Sequence, residues 1–510
     1  MKWESFCSIL EKSNPENLSY IREDAKKHFE DYGVYPSSVN YNQGAWYFLV
    51  REATEKKLII YGCDEYFDKF DGMTISINGK LTKVCSLNNE NCDVIREVFP
   101  FTNPSSHKGK AITIGLGDRL GIASPGHIRT VADKPVFPIL AQQSIRELNL
   151  TGRTYRDVLS AACWAVFQEG YTKGFGADGD HLKTHEEVKM ALDNGFTMIT
   201  LDCSEHIDNK VTSYTKEQVE EKYLEIDQQE RKNLESKYLN KEIKLKDGSV
   251  INFEPETFKE IVLIYLKAIK FASEIYNNII KTCERQIDFE MSVDETLTPT
   301  TPQAHYFVAS ELITRGVEIT SLAPRFCGEF QKGIDYRGDI EQFTREFELH
   351  VKISRHFGYK LSIHSGSDKF SVFPIIGEKT NGLFHIKTAG TNWLEAVRVI
   401  AANNPTLYRR MHKFAIEHVD EAKKYYHVSA DLSNIPDIDN IKDEELVHFL
   451  DQDDSRQVLH ITYGLILTEK DEMGKSVFKD EIYSTLYAHE KEYYYALIKH
   501  INKHLHLLKV

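Results

Sequence analysis

The stretch GFGADGDHLKTHEEVKMALDNGFTMITLDCSEHID, residues 174–208, reads as a strand, a helix and a second strand. The first strand ends in Asp178-Gly179-Asp180-His181 and the second in Asp202. Between them Thr184 is placed to cap an amphipathic helix, with Glu187 three residues on to close a capping box. An acid beside an imidazole at the carboxyl end of a strand in a βαβ unit is where parallel barrels keep their chemistry. The stretch therefore predicts both a fold and a site.

Outward from it the same rhythm repeats. From about residue 109 strands alternate with helical stretches, the mark of a parallel sheet. Eight candidates are legible: AITIGLG (111–117), VFPILAQ (136–142), GFGADGD (174–180), FTMITLD (196–202), QIDFEMSV (286–293), VEITSLA (317–323), YKLSIH (359–364) and LFHIKT (383–388). They predict an α/β fold, a (β/α)8 barrel of the TIM type over residues 109–404. A charged helical insertion near 209–255 reads as a solvated excursion. Residues 1–108 read as an N-terminal α/β module with short aromatic strands and an Asn78-Gly79 hairpin signal. Residues 405–510 read as a helical C-terminal region packed on the barrel.

Composition bounds the function. The 510 residues carry a net charge of −14, which argues against nucleic acid, whose binding needs a basic footprint. No apolar run approaches a membrane span, and the N-terminus lacks a secretory apolar core. The 8 cysteines are scattered without a CxxC pair, so neither a disulfide framework nor a zinc knuckle is indicated, and a cytoplasmic protein is expected. A small anionic substrate needs only a few local cations.

Strand parity points to one polar cluster. In QIDFEMSV, Asp288 and Glu290 alternate with Ile287, Phe289 and Met291, so two carboxylates share one face and are costly to bury unpaired. Ser362 and His364 alternate with Leu361 and Ile363, and His385 and Lys387 with Phe384 and Ile386. Asp180 and Glu290 are candidate acid/base groups. His181 and His364 suit a divalent metal cation of unspecified identity, such as Zn, Mn or Mg. Ser365, Gly366 and Ser367 form a loop whose N–H groups suit an anion, with Lys369 and Lys387 to add charge. GLGDRLG (115–121) has glycine spacing like a dinucleotide loop, but Ser-Pro-Gly follows and no acid ends a second strand at the required distance. Asp118, Arg119 and His127 there are expected as substrate contacts instead.

Segment 174–208 resembles class II metal-dependent aldolases, whose Asp-His strand end maps onto a proton-carrying Asp180 and a metal-binding His181. HSGS (364–367) resembles their His-Gly-Gly-Ser. Where those enzymes carry a third histidine, this chain has FCGEFQKG with Cys327, leaving Gln331 or Glu329 as third ligand and Gln331 preferred. Over most of its length from about 110 the chain is similar to the tagaturonate/fructuronate epimerases. The carrying segments are GLGDRLG, AQQSIREL, GFGADGDHLKT, EITSLAPRFCGEFQKGIDY, KLSIHSGSDKFSVFPIIG, HIKTAGTNWLEAVRV and HITYGLIL. The resemblance implies a metal-dependent isomerase of hexuronate catabolism working by retro-aldol and aldol steps. A sugar-acid aldolase, a non-catalytic sugar-acid binding protein and an NAD-dependent epimerase are the alternatives.

Overall fold

The computed structural model describes residues 2–52, 55–294 and 296–510. All eight expected strands form. We label them β1 (Ile112–Leu116), β2 (Phe137–Gln143), β3 (Gly176–Leu182), β4 (Met198–Asp202), β5 (Asp288–Val293), β6 (Ser321–Pro324), β7 (Lys360–Ile363) and β8 (Phe384–Thr388). They close into a barrel in sequence order. Parallel pairing is regular, with Glu290 opposite Thr200 on one side and Ser321 on the other. Thr184 caps the helix His185–Asp193 in a complete capping box with Glu187, as its sequence predicts.

By compactness the chain falls into two units, each assembled from pieces distant in sequence. One comprises Met1–Ser105, Leu116–Gly176 and Ala389–Lys503; the other comprises Ser106–Gly115, Ala177–Thr388 and His504–Val510. In the first unit a five-stranded antiparallel sheet packs Phe48, Val50, Ile59 and Tyr61 against Trp3, Phe6 and Leu10. The Asn78-Gly79 hairpin turn has φ of +51° and +78°, the left-handed pair that such a two-residue turn demands. The same unit holds a helical core in which Trp393, Leu407, Met411, Leu459 and Leu497 are buried.

In the second unit the insertion after β4 is helical as expected, but it is anchored as well as solvated. Helices Lys216–Leu224 and Gln228–Tyr238 bury Val219 with Tyr223 and Leu234 with Tyr238. Those i,i+4 pairs give each charged helix one apolar stripe, and Tyr238 sits edge-on to Phe253 and Phe307. Among the described residues no helix is long and apolar enough to cross a membrane.

The barrel strands of this unit carry polar inward groups at both ends. At the N-terminal foot, Asp288 accepts the Ser106 hydroxyl at 2.8 Å and the His107 backbone N–H at 2.6 Å. Lys360 donates to His107 Nδ1 at 3.0 Å and to the Thr113 hydroxyl at 3.1 Å. Thr113 in turn lies 2.8 Å from His385 Nδ1.

Candidate active site

Consecutive strand residues ordinarily point to opposite faces, so Asp180 and His181 should not share a site. A bulge resolves this. The β3–β4 register runs Asp178 to Met198 and Gly179 to Ile199, then resumes with Leu182 opposite Leu201. One residue is thus extra on β3, and His181 takes a left-handed φ of +54°. Gly179 makes room beneath it, since a Cβ there would crowd Leu182 Cδ1 at 2.9 Å and Ala191 Cβ at 3.0 Å.

The bulge delivers Asp180 to a buried ionic cluster centred on Lys387. The ammonium donates to Asp180 Oδ1 at 2.7 Å, Asp178 Oδ2 at 2.8 Å and Thr200 Oγ1 at 2.5 Å, and lies 3.2 Å from Glu290 Oε1. The Thr200 hydroxyl in turn donates a hydrogen bond to Asp178 Oδ1 at 3.0 Å. Burial alone would raise Asp180, but Lys387, His181 and His364 override it and hold the carboxyl below its usual range. Asp178 lies deeper. Burial, with Asp180 and Glu290 nearby, pushes it up to about 6 against the pull of Lys387. Burial would likewise lower Lys387, yet its three carboxylates keep it firmly charged.

A second cluster stands on β5 and β7. His364 Nε2 lies 2.6 Å from Glu290 Oε1, whose other oxygen accepts the Ser321 hydroxyl. Glu290 is 0% exposed. Burial would raise its pKa, but Lys387 and His364 hold it well below the ordinary carboxylate range. As an ionised carboxylate it can only accept, so His364 Nε2 carries the proton of this bond. The other nitrogen, Nδ1, lies 3.2 Å from Asp294 Oδ2. Behind His181, Asp202 Oδ2 stands 3.7 Å from Nδ1 while Asp202 Oδ1 accepts the Ser204 N–H at 2.8 Å.

His181, Asp294 and His364 each offer one ligand atom, and the three atoms lie within 4.8 Å of one another. Two imidazoles and a carboxylate suit zinc or a similar divalent ion. Charge makes the same demand. Asp178, Asp180, Asp202, Glu290 and Asp294 gather around two lysines, Lys387 and, at Asp202, Lys183, and two imidazoles, an excess of negative charge that a divalent cation would offset.

Sequence reasoning missed Asp294, Asp178, Asp202 and Ser321. The signal for Asp294 was present, since it continues the 288, 290, 292 parity of β5 by one step. Gln331, the expected third ligand, donates its side-chain amide to Glu329. Lys369, expected to face an anion, gives its ammonium to the carbonyls of Gln331, Ile334 and Ser367 at 2.8, 2.6 and 2.9 Å and so ties two loops together. Lys387, expected in the same role, lies among carboxylates. In the 365–367 loop Ser365 has φ +48° and accepts a bond from Lys332 at 2.9 Å. Gly366 is required there, because a Cβ would meet Ile386 Cγ1 at 2.5 Å.

In the first unit Asp118 accepts the backbone N–H groups of Leu120, Gly121 and Ala123 at 3.0, 2.7 and 2.7 Å. It knots the glycine-rich loop upon itself. Arg119 pairs with Glu147 over the Tyr463 ring, and His127 is wholly buried.

Residues 35–508 match the family model described as UxaE, tagaturonate epimerase. The chain is 43% identical over 491 residues to a tagaturonate/fructuronate epimerase of Thermotoga maritima, covering 95% of this chain and 98% of the relative. The glycerol-complexed crystal structure of fructuronate-tagaturonate epimerase from Cohnella laeviribosi superposes with a TM-score of 0.92 at 51% identity, covering 97% of this chain and 100% of that one. The native crystal form of the same enzyme gives 0.91 at 52% identity over 93% and 96% of the two chains.

Proposed function

This chain belongs to the tagaturonate epimerase family, and on that premise we propose that it interconverts D-tagaturonate and D-fructuronate with the aid of a divalent metal cation, by retro-aldol and aldol steps. It is an epimerase, an isomerase by class. The observation that carries the mechanism is the pairing of a charged, lysine-held Asp180 with the His181, Asp294 and His364 trio on one mouth of the barrel.

The two ketouronates differ at the carbon β to the ketone, where enolisation alone cannot invert the centre. Asp180, kept ionised by Lys387, accepts the proton of the β-hydroxyl. The bond between the α and β carbons then breaks, its electrons passing towards the ketone oxygen and leaving an aldehyde. The aldehyde presents its other face, the bond re-forms, and Asp180 returns its proton to the new alkoxide. His181 and His364, with Asp294 or Gln331 as third ligand, would hold the cation. When bound, it supplies Lewis acidity for the charge that develops on the ketone side. The 365–367 loop would receive the substrate's carboxylate through Ser365, held by Lys332, and Ser367, held by Lys369, since the Gly366 N–H is already given to the Lys387 carbonyl at 3.0 Å. Glu290, the other expected acid/base group, has both oxygens engaged inside the protein.

Proton NMR of D-fructuronate tests this reading directly. Metal-loaded protein should produce D-tagaturonate, and chelator-treated protein should not. Equal turnover in both would remove the metal, and accumulation of three-carbon fragments would turn the epimerase into an aldolase.

A further inference from the structure

Glu290 does not fit the part its sequence suggests. A group that exchanges protons with a substrate must be reachable, and Glu290 is fully buried with partners on both oxygens. Its position is informative instead. It stands on the side of His364 away from Asp294, 2.6 Å from Nε2, while Nδ1 faces Asp294. A carboxylate behind an imidazole fixes which nitrogen keeps its proton, and so which nitrogen offers a lone pair.

We propose that Glu290 is a positioning residue that locks His364 with its proton on Nε2, so that Nδ1 is the ligand nitrogen, and that Asp202 plays a weaker counterpart behind His181. The inference rests on the metal-dependent reading above. Three features of the structure support it. Ser321 and Lys387 clamp Glu290 from two sides, so the carboxylate cannot swing away from His364. Asp202 is held by the Ser204 N–H, and its Oδ2 is shared between Lys183 Nζ at 3.4 Å and His181 Nδ1 at 3.7 Å, a longer and looser version of the same arrangement. If Asp202 governs Nδ1 of His181, the two histidines present opposite nitrogens, Nε2 from His181 and Nδ1 from His364. The strands are built to match this, since the β3 bulge reorients His181 whereas His364 leaves β7 without one.

The test uses the full chain loaded with Co²⁺, reading affinity by chelator competition and ligand geometry by the visible absorption spectrum. Glu290→Gln should weaken Co²⁺ binding about 10–100-fold and shift the spectrum. Asp202→Asn should do so by less, and Asp180→Asn, whose carboxylate lies 3.8 Å from His181 Nε2, should lose turnover with a smaller loss of Co²⁺ affinity than Glu290→Gln. Wild-type affinity and spectrum in Glu290→Gln, with turnover lost, would overturn the proposal and return Glu290 to proton transfer. Should Glu290→Gln not fold, Ser321→Ala serves in its place. It frees one Glu290 oxygen and should weaken Co²⁺ several-fold; unchanged binding there and in Asp202→Asn would overturn the proposal equally. A wild-type chain that binds no Co²⁺ would sink the metal reading itself, a result distinct from any of these.

Discussion

The mouth and the foot of the barrel are built from the same residue types, and they behave oppositely. At the foot, His107 and His385 flank Lys360 beside a single carboxylate, Asp288. Burial and the neighbouring Lys360 push His107 down to about 3, and burial takes Lys360 itself down to about 8 despite Asp288. At the mouth, burial acts on His364 and Lys387 in the same direction, yet both end above their ordinary values because carboxylates outnumber them. What separates the two regions is the ratio of acids to cations. Where one acid serves a lysine and two histidines, the imidazoles are neutral scaffolding. Where five acids crowd two lysines, Lys387 and Lys183, the site stays charged and reaches for more positive charge.

That contrast can be broken in graded ways. The largest effect is expected from Asp180→Asn, which should lower kcat by about 10²–10⁴-fold in the epimerisation assay. Near wild-type turnover would make the mouth no more catalytic than the foot. Next comes Lys387→Met, which strands Asp178, Asp180 and Glu290 in the interior and should cost about 3–5 kcal/mol in denaturant unfolding. Lys360→Met should cost only about 1–3 kcal/mol, since Asp288 keeps its bonds from Ser106 and the His107 N–H. If the foot lysine proves the more costly to lose, the acid-to-cation explanation fails.

The smallest effect concerns pH. His107 binds a proton in the unfolded chain below its ordinary pKa of 6.5 but not in the folded one until about 3. Its contribution is therefore intact above pH 6.5 and is lost as pH falls from there towards 3. Over that window His107→Gln should flatten the acid limb of the stability curve by up to about 1.4 kcal/mol per pH unit. An unchanged slope would mean that His107 is not held neutral.

The barrel was legible because a parallel strand announces itself twice, by its apolar alternation and by the helix that follows. The inward face of β5 was legible for the same reason, and Asp294 could have been read from it by extending the parity one residue past the strand. Partners were not legible. Parity says that Glu290 points inward, but only the fold places His364 and Ser321 against it. The sign of Lys369 suggested an anion, whereas loop geometry gave it three carbonyls. The β3 bulge left only a faint mark in sequence, the glycine at 179 inside a strand and beside an aspartate, and neither fixes which residue is extra. In the insertion, charge masked the i,i+4 tyrosine stripe that fixes the helices in place.

The left-handed backbone at position 181 narrows what the chain can become. Glycine or asparagine would settle most comfortably there, and histidine is among the few other residues that visit this region with any frequency. A drifting sequence thus meets two filters at one codon, one for an imidazole and one for a tolerated φ, and β-branched or bulky replacements fail both. Alanine conflates the two losses, whereas His181→Asn removes the imidazole and leaves the backbone at ease. Descendants that abandon this chemistry should therefore carry asparagine or glycine at 181 far more often than valine.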